Sequence, residues 1–383
     1  MTVTGIIAEY NPFHNGHAYQ MEQARKMTGA DYLVIVMSGD YVQRGTPAII
    51  EKHLRAKMAL NCGADLVLEL PVRYATSSAR DFAKGAVSIL NDLGVVDYLC
   101  FGSEHGSISP FLEIADIVNK EPNCYKTILK EEQKKGCSYP AAHQKALQRA
   151  YAFTYPNRES DLSTEFLCAP NNILGIEYIR ALKELNSSII PCTVHRTSNN
   201  YHSIETDSKY ASATAIRRLL LEKKSKHLKD LVPHNTLTDL MDCLKNNSFM
   251  TEDDYSLLLK YSLLQHTADQ LTSYLDFPKS LANRAVGSLS DFQSFSQFSA
   301  LLKTRDITRT RINRSLLHAI LNIDQREHTP SFLRMLGFRR DAVPLLTAIK
   351  KSSRRPLVGK LADSPLETYY EDLFASNLYH SVA

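Results

Sequence analysis

The chain holds 383 residues, 44% of them hydrophobic and 22% charged, which excludes a disulfide-stapled miniprotein, a disordered chain, a collagen-like repeat and a coiled coil. One core usually organises roughly 100–200 residues, so two domains are expected. Lysine and arginine number 45 against 41 aspartate and glutamate, and the net charge of +4 is an average that excludes no class of partner.

Chain order begins with Met1-Thr-Val-Thr-Gly-Ile-Ile-Ala-Glu9, whose apolar run has no preceding cation and is broken by Glu9, unlike a secretory signal. No apolar run approaches the roughly 18 residues of a membrane span. The seven cysteines, at 62, 100, 124, 137, 168, 192 and 243, form no C-x-x-C pair and are mostly expected as reduced core residues. These features together predict a soluble, cytoplasmic protein with no membrane contact and no metal centre of its own.

Short apolar runs alternate with amphipathic ones through the first two hundred residues, the pattern of strand-helix units and a parallel α/β sheet. Strands are expected at Val3 to Ala8, Tyr32 to Met37, Leu66 to Leu70, Tyr98 to Phe101 and Ile189 to Val194. Helices are expected from the residues after His14 to about Met27, over Glu51 to Asn61 and over Asp81 to Leu93, the last two ending at Gly63 and Gly94. Phe82, Ala86 and Ile89 fall on one helical face and read as core. Residues 137 to 170, with Pro140, Pro156 and Pro170, read as an insertion or long loop before a helix near Asn171. A further helix starts near Ser212. Beyond residue 223 the strand signals vanish, and Tyr255 to Leu264, Leu281 to Val286 and Leu316 to Leu321 indicate helices. The predicted division is 1–225, a nucleotide-binding α/β domain, and 226–383, a mainly α-helical domain.

Directly after the first strand stands Glu9-Tyr-Asn-Pro-Phe-His14-Asn15-Gly16-His17. A strand-loop-helix junction at the carboxyl edge of a parallel sheet is where phosphates meet helix N-terminal amides, and Gly16 permits close approach. Two imidazoles three residues apart can donate hydrogen bonds to nucleotide phosphates and to charge developing at the α-phosphorus. Alone, four residues do not separate such a site from a capped loop with incidental histidines. The H-x-G-H spacing after the first strand resembles the nucleotidyltransferase superfamily it characterises, which implies a Rossmann-like fold and attack at the α-phosphate of ATP. Ser212-Ala-Thr214-Ala-Ile-Arg217, at a helix start last in the sheet region, resembles that superfamily's S-x-T-x-I-R motif, with two hydroxyls and a guanidinium suited to terminal phosphates.

Five strings in order narrow the resemblance: Glu9 to His17; Val36-Met-Ser-Gly-Asp40 with Gln43-Arg-Gly-Thr-Pro-Ala48; Phe101-Gly-Ser-Glu104; Pro170-Asn-Asn-Ile-Leu-Gly175; and Ser212-Ala-Thr214. Together they resemble the tRNA(Met) cytidine acetate ligase family, most densely over residues 1 to 220, weakly to about 325 and poorly beyond. The resemblance implies that acetate and ATP form acetyl-adenylate, that the acetyl group passes to N4 of the wobble cytidine of elongator tRNA(Met), and that AMP and diphosphate are released. It implies His14 and His17 as catalytic residues. ATP would be surrounded by Ile7, Ala8, Glu9, Tyr10, Asn11, Pro12, Phe13, His14, Asn15, Gly16, His17, Ala18, Tyr19 and Gln20, with Gly102, Asn171, Arg196, Ser212, Thr214 and Arg217 further along. Asn171 could equally cap its helix, and Gly102 could be an ordinary turn. Mg²⁺ is expected to arrive with the triphosphate, with Asp40 and Glu104 as residues that could orient it through water.

The near-neutral charge conceals an asymmetry. Residues 301 to 360 hold fourteen Lys and Arg against four acids, a surplus of ten that leaves the remainder at −6. Such a segment is the footprint of phosphate-backbone contact, and Arg305, Arg309, Arg311 and Arg314 are the expected tRNA-binding cations, joined by Arg44 and Lys52 of an earlier loop and helix. The same charges also suit a solvated helical face. Two other readings use the same residues: an adenylyltransferase acting on a small phosphorylated acceptor, which needs no basic C-terminal domain, and a non-catalytic RNA-binding protein with a vestigial nucleotide site.

Overall fold

A computed structural model describes residues 1–137, 139–156, 162–196, 211–363 and 365–383. The five expected strands are neighbours in a seven-stranded sheet. They are β1 (Val3–Ala8), β2 (Tyr32–Ser38), β5 (Leu66–Leu70), β6 (Tyr98–Ser103) and β7 (Ile190–His195), with a short hairpin of β3 (Tyr41–Val42) and β4 (Thr46–Pro47) between the second and third. Two further strands, β8 (Leu333–Phe338) and β9 (Leu357–Val358), extend one edge, giving the order β7-β6-β1-β2-β5-β8-β9. These five run parallel, with Ile6 opposite Ile35 and Gly5 opposite Leu99. The near-continuous burial of β1, β2 and β5 is what two helical layers impose on a parallel sheet.

From β1 the chain first builds outward through β2 and β5, then returns to place β6 and β7 on the other side. The reversal creates a crevice at the carboxyl end of β1, where an open α/β sheet takes its ligand. The helix Asn15–Thr28 begins at that crevice and ends at Gly29 in the left-handed region, φ 64°. The helix Ala79–Leu93 packs Phe82, Ala86, Ile89, Leu90 and Leu93 on the sheet and ends at Gly94, φ 68°.

Three expectations are corrected. Residues 137–170 are not a loop: the helices Tyr139–Thr154 and Thr164–Cys168 occupy much of the segment, with Ala142, Ala146, Ala150 and Tyr151 buried. Pro140 and Pro170 fall in the first turns of helices, where proline is tolerated and breaks nothing. Strands do not vanish after residue 223, because β8 pairs antiparallel with β5, Leu66 opposite Phe338 and Leu68 opposite Met335. Of the cysteines, only Cys100 is fully buried, beside its register partner Cys192; all seven are free thiols.

The helical elements between residues 252 and 321 share a core of Tyr255, Leu259, Phe295, Phe298, Ile312 and Leu316, and that core also takes in Tyr41, Val72 and, from the last helix (Tyr370–Val382), Ala375 and Tyr379. Tyr41 donates to the Ala375 carbonyl at 3.2 Å and Tyr379 to the Ala48 carbonyl at 2.8 Å. The loop after β2 is therefore held from the far end of the chain.

The helix Lys52–Asn61 is not the solvated face its cations suggest. Arg55 is fully buried and donates to four backbone carbonyls: Ile50 at 3.0 Å, Glu9 at 2.6 Å, Ser38 at 3.1 Å, and Gly39. Replacing Arg55 by Met leaves those carbonyls buried without donors, and unmade hydrogen bonds of this kind cost roughly 1–3 kcal/mol each. Arg55→Met is expected to lower unfolding stability by at least about 3 kcal/mol, read from a urea midpoint shift at unchanged m-value.

Candidate active site

His14 is the N-cap of the first helix, in extended conformation at φ −149° and ψ 174°. Its Nδ1 accepts the Gly16 N–H at 3.1 Å, and the Nδ1 of His17 accepts the His14 N–H at 3.3 Å. The two rings stack with centroids 3.6 Å apart. A Cβ on residue 16 would meet the His14 ring at 3.0 Å, so Gly16 is what lets the ring fold back over the turn. Because a neutral imidazole that accepts at one nitrogen carries its proton on the other, both histidines present Nε2–H as donor.

Burial keeps both rings neutral: it lowers the His14 pKa to about 3, with Arg196 and Arg217 adding to the effect, and lowers that of His17 well below the usual range. Tyr10 and Phe13 pack edge-on in the same cluster, ring centroids 4.8 Å apart.

Arg217 closes the opposite side. Its guanidinium donates to the Asn11 carbonyl at 2.7 Å and to Thr214 Oγ1 at 3.1 Å. Ser212 caps the helix Ala213–Leu221 by accepting the Ala215 N–H at 3.2 Å. Arg196 follows β7, and its stem crosses Gly102, where a Cβ would press on Arg196 Cγ at 3.3 Å. That contact gives Gly102 a reason beyond a turn. Asn171 does not cap its helix, whose N-cap is Ala169; it instead donates to Glu104 Oε1 at 2.6 Å.

These groups line one cavity of about 610 Å³. Of the expected ATP residues it brings together Ile7, Ala8, Glu9, Tyr10, Asn11, His14, His17, Gln20, Gly102, Asn171, Arg196, Ser212, Thr214 and Arg217. Pro12, Phe13, Asn15, Gly16, Ala18 and Tyr19 are not on its wall. Phe13 is core, and Asn15 donates to the Asp230 carbonyl at 2.8 Å, tying the helix start to the segment that enters the helical region.

Sequence reasoning missed Gln43, Ser78, Ala79, Phe82, Phe101, Pro170, Ile173, Leu174, Tyr178, Ala213 and Thr310, which supply most of the apolar wall. Phe82 carries a visible signal, a helical apolar stripe, but it serves core and cavity at once.

Arg44 and Arg314, expected at an RNA surface, line the cavity itself. Gly45, at φ 73°, sits against the helix Arg309–Leu321 so closely that a Cβ would lie 2.3 Å from the Arg314 nitrogen. Arg314 also holds Asp276, from Nε at 2.9 Å and Nη2 at 2.7 Å. Arg305, Arg309 and Arg311 are exposed, with Arg311 3.1 Å from Asp276 and Arg309 4.0 Å from Glu252. Lys52 is a correction: it is buried, 2.8 Å from Glu69 and 3.5 Å from Asp40, and cannot reach an RNA.

Neither Asp40 nor Glu104, the residues expected to orient magnesium through water, is on the cavity wall. Asp40 is buried and accepts the Lys52 N–H at 2.9 Å, while Glu104 is engaged by Asn171. Among the described residues no group of three or more His, Cys, Asp or Glu could hold a metal, and no helix is long and apolar enough to cross a membrane.

The HIGH Nucleotidyl Transferase family model matches residues 1–383. The tRNA(Met) cytidine acetate ligase of Acetivibrio thermocellus is 38% identical over 377 residues, 95% of this chain and 89% of that protein, and the one from Caldanaerobacter subterraneus subsp. tengcongensis is 39% identical over 389 residues, 99% and 95%. The chain belongs to the tRNA(Met) cytidine acetate ligase family. Thermotoga maritima TmcAL, solved bound with alpha-thio ATP, superposes with a TM-score of 0.90 at 32% identity, over 100% of this chain and 95% of that one; its apo form gives 0.92. The resemblance drawn from five strings thus extends across the whole of this chain, including residues 326–383.

The neutral histidines set a pH expectation. Both folded-state values lie below the unfolded value near 6.5, so the unfolded chain binds more protons and stability falls as pH drops below about 6.5 toward 3. In NMR spectra the His14 and His17 ring resonances are expected to stay unchanged between pH 8 and 5; movement of either cavity histidine in that range overturns the neutral assignment.

Proposed function

We propose that this chain joins acetate to ATP as acetyl-adenylate and transfers the acetyl group to N4 of the wobble cytidine of elongator tRNA(Met), releasing AMP and diphosphate. The observation that carries the reading is the convergence of two neutral Nε2–H donors and two half-buried guanidinia, Arg196 and Arg217, on a cavity whose far wall comes from the basic helix Arg309–Leu321. Donors fixed before the reaction stabilise charge as it develops, which is the largest single term in most such sites.

Acetate attacks the α-phosphorus, and His14 and His17 meet the charge on its non-bridging oxygens. Ser212, Thr214 and Arg217 receive the departing diphosphate. Any magnesium comes with ATP itself, since Asp40 is buried against Lys52 and Glu104 is held by Asn171. The phosphoanhydride-like mixed anhydride then gives the weakly nucleophilic cytidine amine a carbonyl with a good leaving group.

An anticodon loop suits this cavity because its unpaired bases can be splayed into a pocket no duplex base could enter. Residues 1–225 carry the activation, and 226–383, apart from the strands at the sheet edge, present the RNA through Arg305, Arg309, Arg311 and Arg314, with Arg44 at the junction. The setting is the cytoplasm, where ATP, acetate and tRNA are all present. A small phosphorylated acceptor would leave the surplus of ten charges in residues 301–360 without a partner.

Purified protein given ATP, acetate and tRNA(Met) is expected to yield N4-acetylcytidine with AMP and diphosphate, read by mass spectrometry of the nucleosides. A requirement for acetyl-CoA, or no product, defeats the reading. Arg309→Ala with Arg311→Ala is expected to weaken tRNA binding and reduce the slope of log affinity against log salt by roughly 1 to 2; an unchanged slope assigns those arginines to a solvated face.

A further inference from the structure

The transfer step has a proton to dispose of. When the N4 amine adds to the acetyl carbon the nitrogen becomes cationic, and unless that proton leaves, the tetrahedral adduct expels the amine rather than AMP. The cavity needs an acceptor.

Neither histidine can serve. The Nδ1 of each already accepts a backbone N–H, and Nε2 carries the ring proton. Arg44, Arg196, Arg217 and Arg314 are cations, and the Tyr10 hydroxyl is buried. Among the described residues lining the cavity, Glu9 is the one carboxylate.

Its placement suits the task. Glu9 directly follows β1, and its main chain is pinned because Arg55 donates to its carbonyl at 2.6 Å. Its Oε1 accepts the Gln43 N–H at 2.9 Å, which turns the side chain toward the Arg44–Gly45 turn and the basic helix seated on it. Among the described residues no donor engages Oε2. The carboxylate thus stands between the imidazole cradle for phosphate and the wall from which an RNA base would enter.

We propose, resting on the function above, that Glu9 is the catalytic base for acetyl transfer. The N4–C bond forms, the bond from the acetyl carbon to the phosphate oxygen breaks with its electron pair leaving on AMP, and the N4 proton passes to Glu9 and then to solvent. No further reactant is needed.

The test separates the two half-reactions of the full-length protein. Acetate-dependent exchange of pyrophosphate into ATP reports activation, and single-turnover acetylation of tRNA(Met) from preformed acetyl-adenylate reports transfer. Gln keeps the Oε1 acceptor for Gln43 but cannot take a proton. Glu9→Gln is expected to lower the ratio of transfer rate to exchange rate by about 100-fold or more, the usual worth of a positioned base, and Glu9→Asp is expected to restore part of that ratio. A Glu9→Gln ratio equal to wild type, whether because transfer persists or because both halves fall together, overturns the proposal; persistence would hand the proton to the departing phosphate. Wild-type protein that makes no N4-acetylcytidine defeats the underlying function instead, so the two failures are distinguishable.

Discussion

The site depends on one buried cation. Among the described residues no carboxylate lies within ion-pair distance of Arg55; its guanidinium is satisfied by backbone carbonyls that belong to the ends of β1 and β2 and to the segment leading into its own helix. Strand ends at the carboxyl edge of a parallel sheet leave carbonyls without ladder partners, and burying them unpaired is costly. One planar group with five donors meets several at once, a geometry an ammonium could not supply. The turn that carries Glu9, Asn11 and His14 is therefore braced from behind before any ligand approaches from the front.

A second buried cluster extends that support to the chain's last fifty residues. Glu69 on β5 accepts from Lys52 and from the Tyr369 hydroxyl at 2.6 Å. Asp372 accepts the Val72 N–H at 2.6 Å, and Arg73 pairs with Glu371 while donating to the Asp324 carbonyl at 2.7 Å. Burial, together with the charge of Glu69, pushes the Asp372 carboxyl well above the ordinary carboxylate range. Taking such charges out of water costs about as much as their attraction returns. Here they fix the C-terminal helix against the loops that rim the nucleotide cavity.

The sequence made the sheet legible because a parallel strand buried on both faces is written as a short apolar block, as at Leu66 to Leu70 and Tyr32 to Met37. His14, Gly16, His17, Ser212 and Arg217 were legible for a related reason: their spacing reflects local turns and caps. What escaped was set by contacts distant in sequence. Lys52 read as an RNA-binding cation because its carboxylate partner lies 17 residues away, and nothing local marks Arg55 as buried because its partners are main-chain carbonyls. β8 was missed because Leu333 to Phe338 is only half-buried and interrupted by Arg334 and Gly337, as befits a strand near a sheet edge. Prolines at helix starts passed for loop markers. The apolar wall of Phe82, Phe101, Leu174 and Tyr178 comes from three separate helices and strands, and nothing local announces their convergence.

Gly45 rests on the main chain of Arg314 with no room for a methyl group, and Tyr41 and Tyr379 fasten the same loop to the C-terminal helix. The wall between the two parts of the chain is thus shared masonry rather than a hinge. Such a chain does not lend itself to exchange of its halves between relatives, since a foreign second half would have to reproduce the seat for Gly45, the phenol for Glu69 and the edge strand for β5 together. Descent with the two parts inseparable is the evolutionary signature this joint imposes, and it accords with relatives that align from one end to the other.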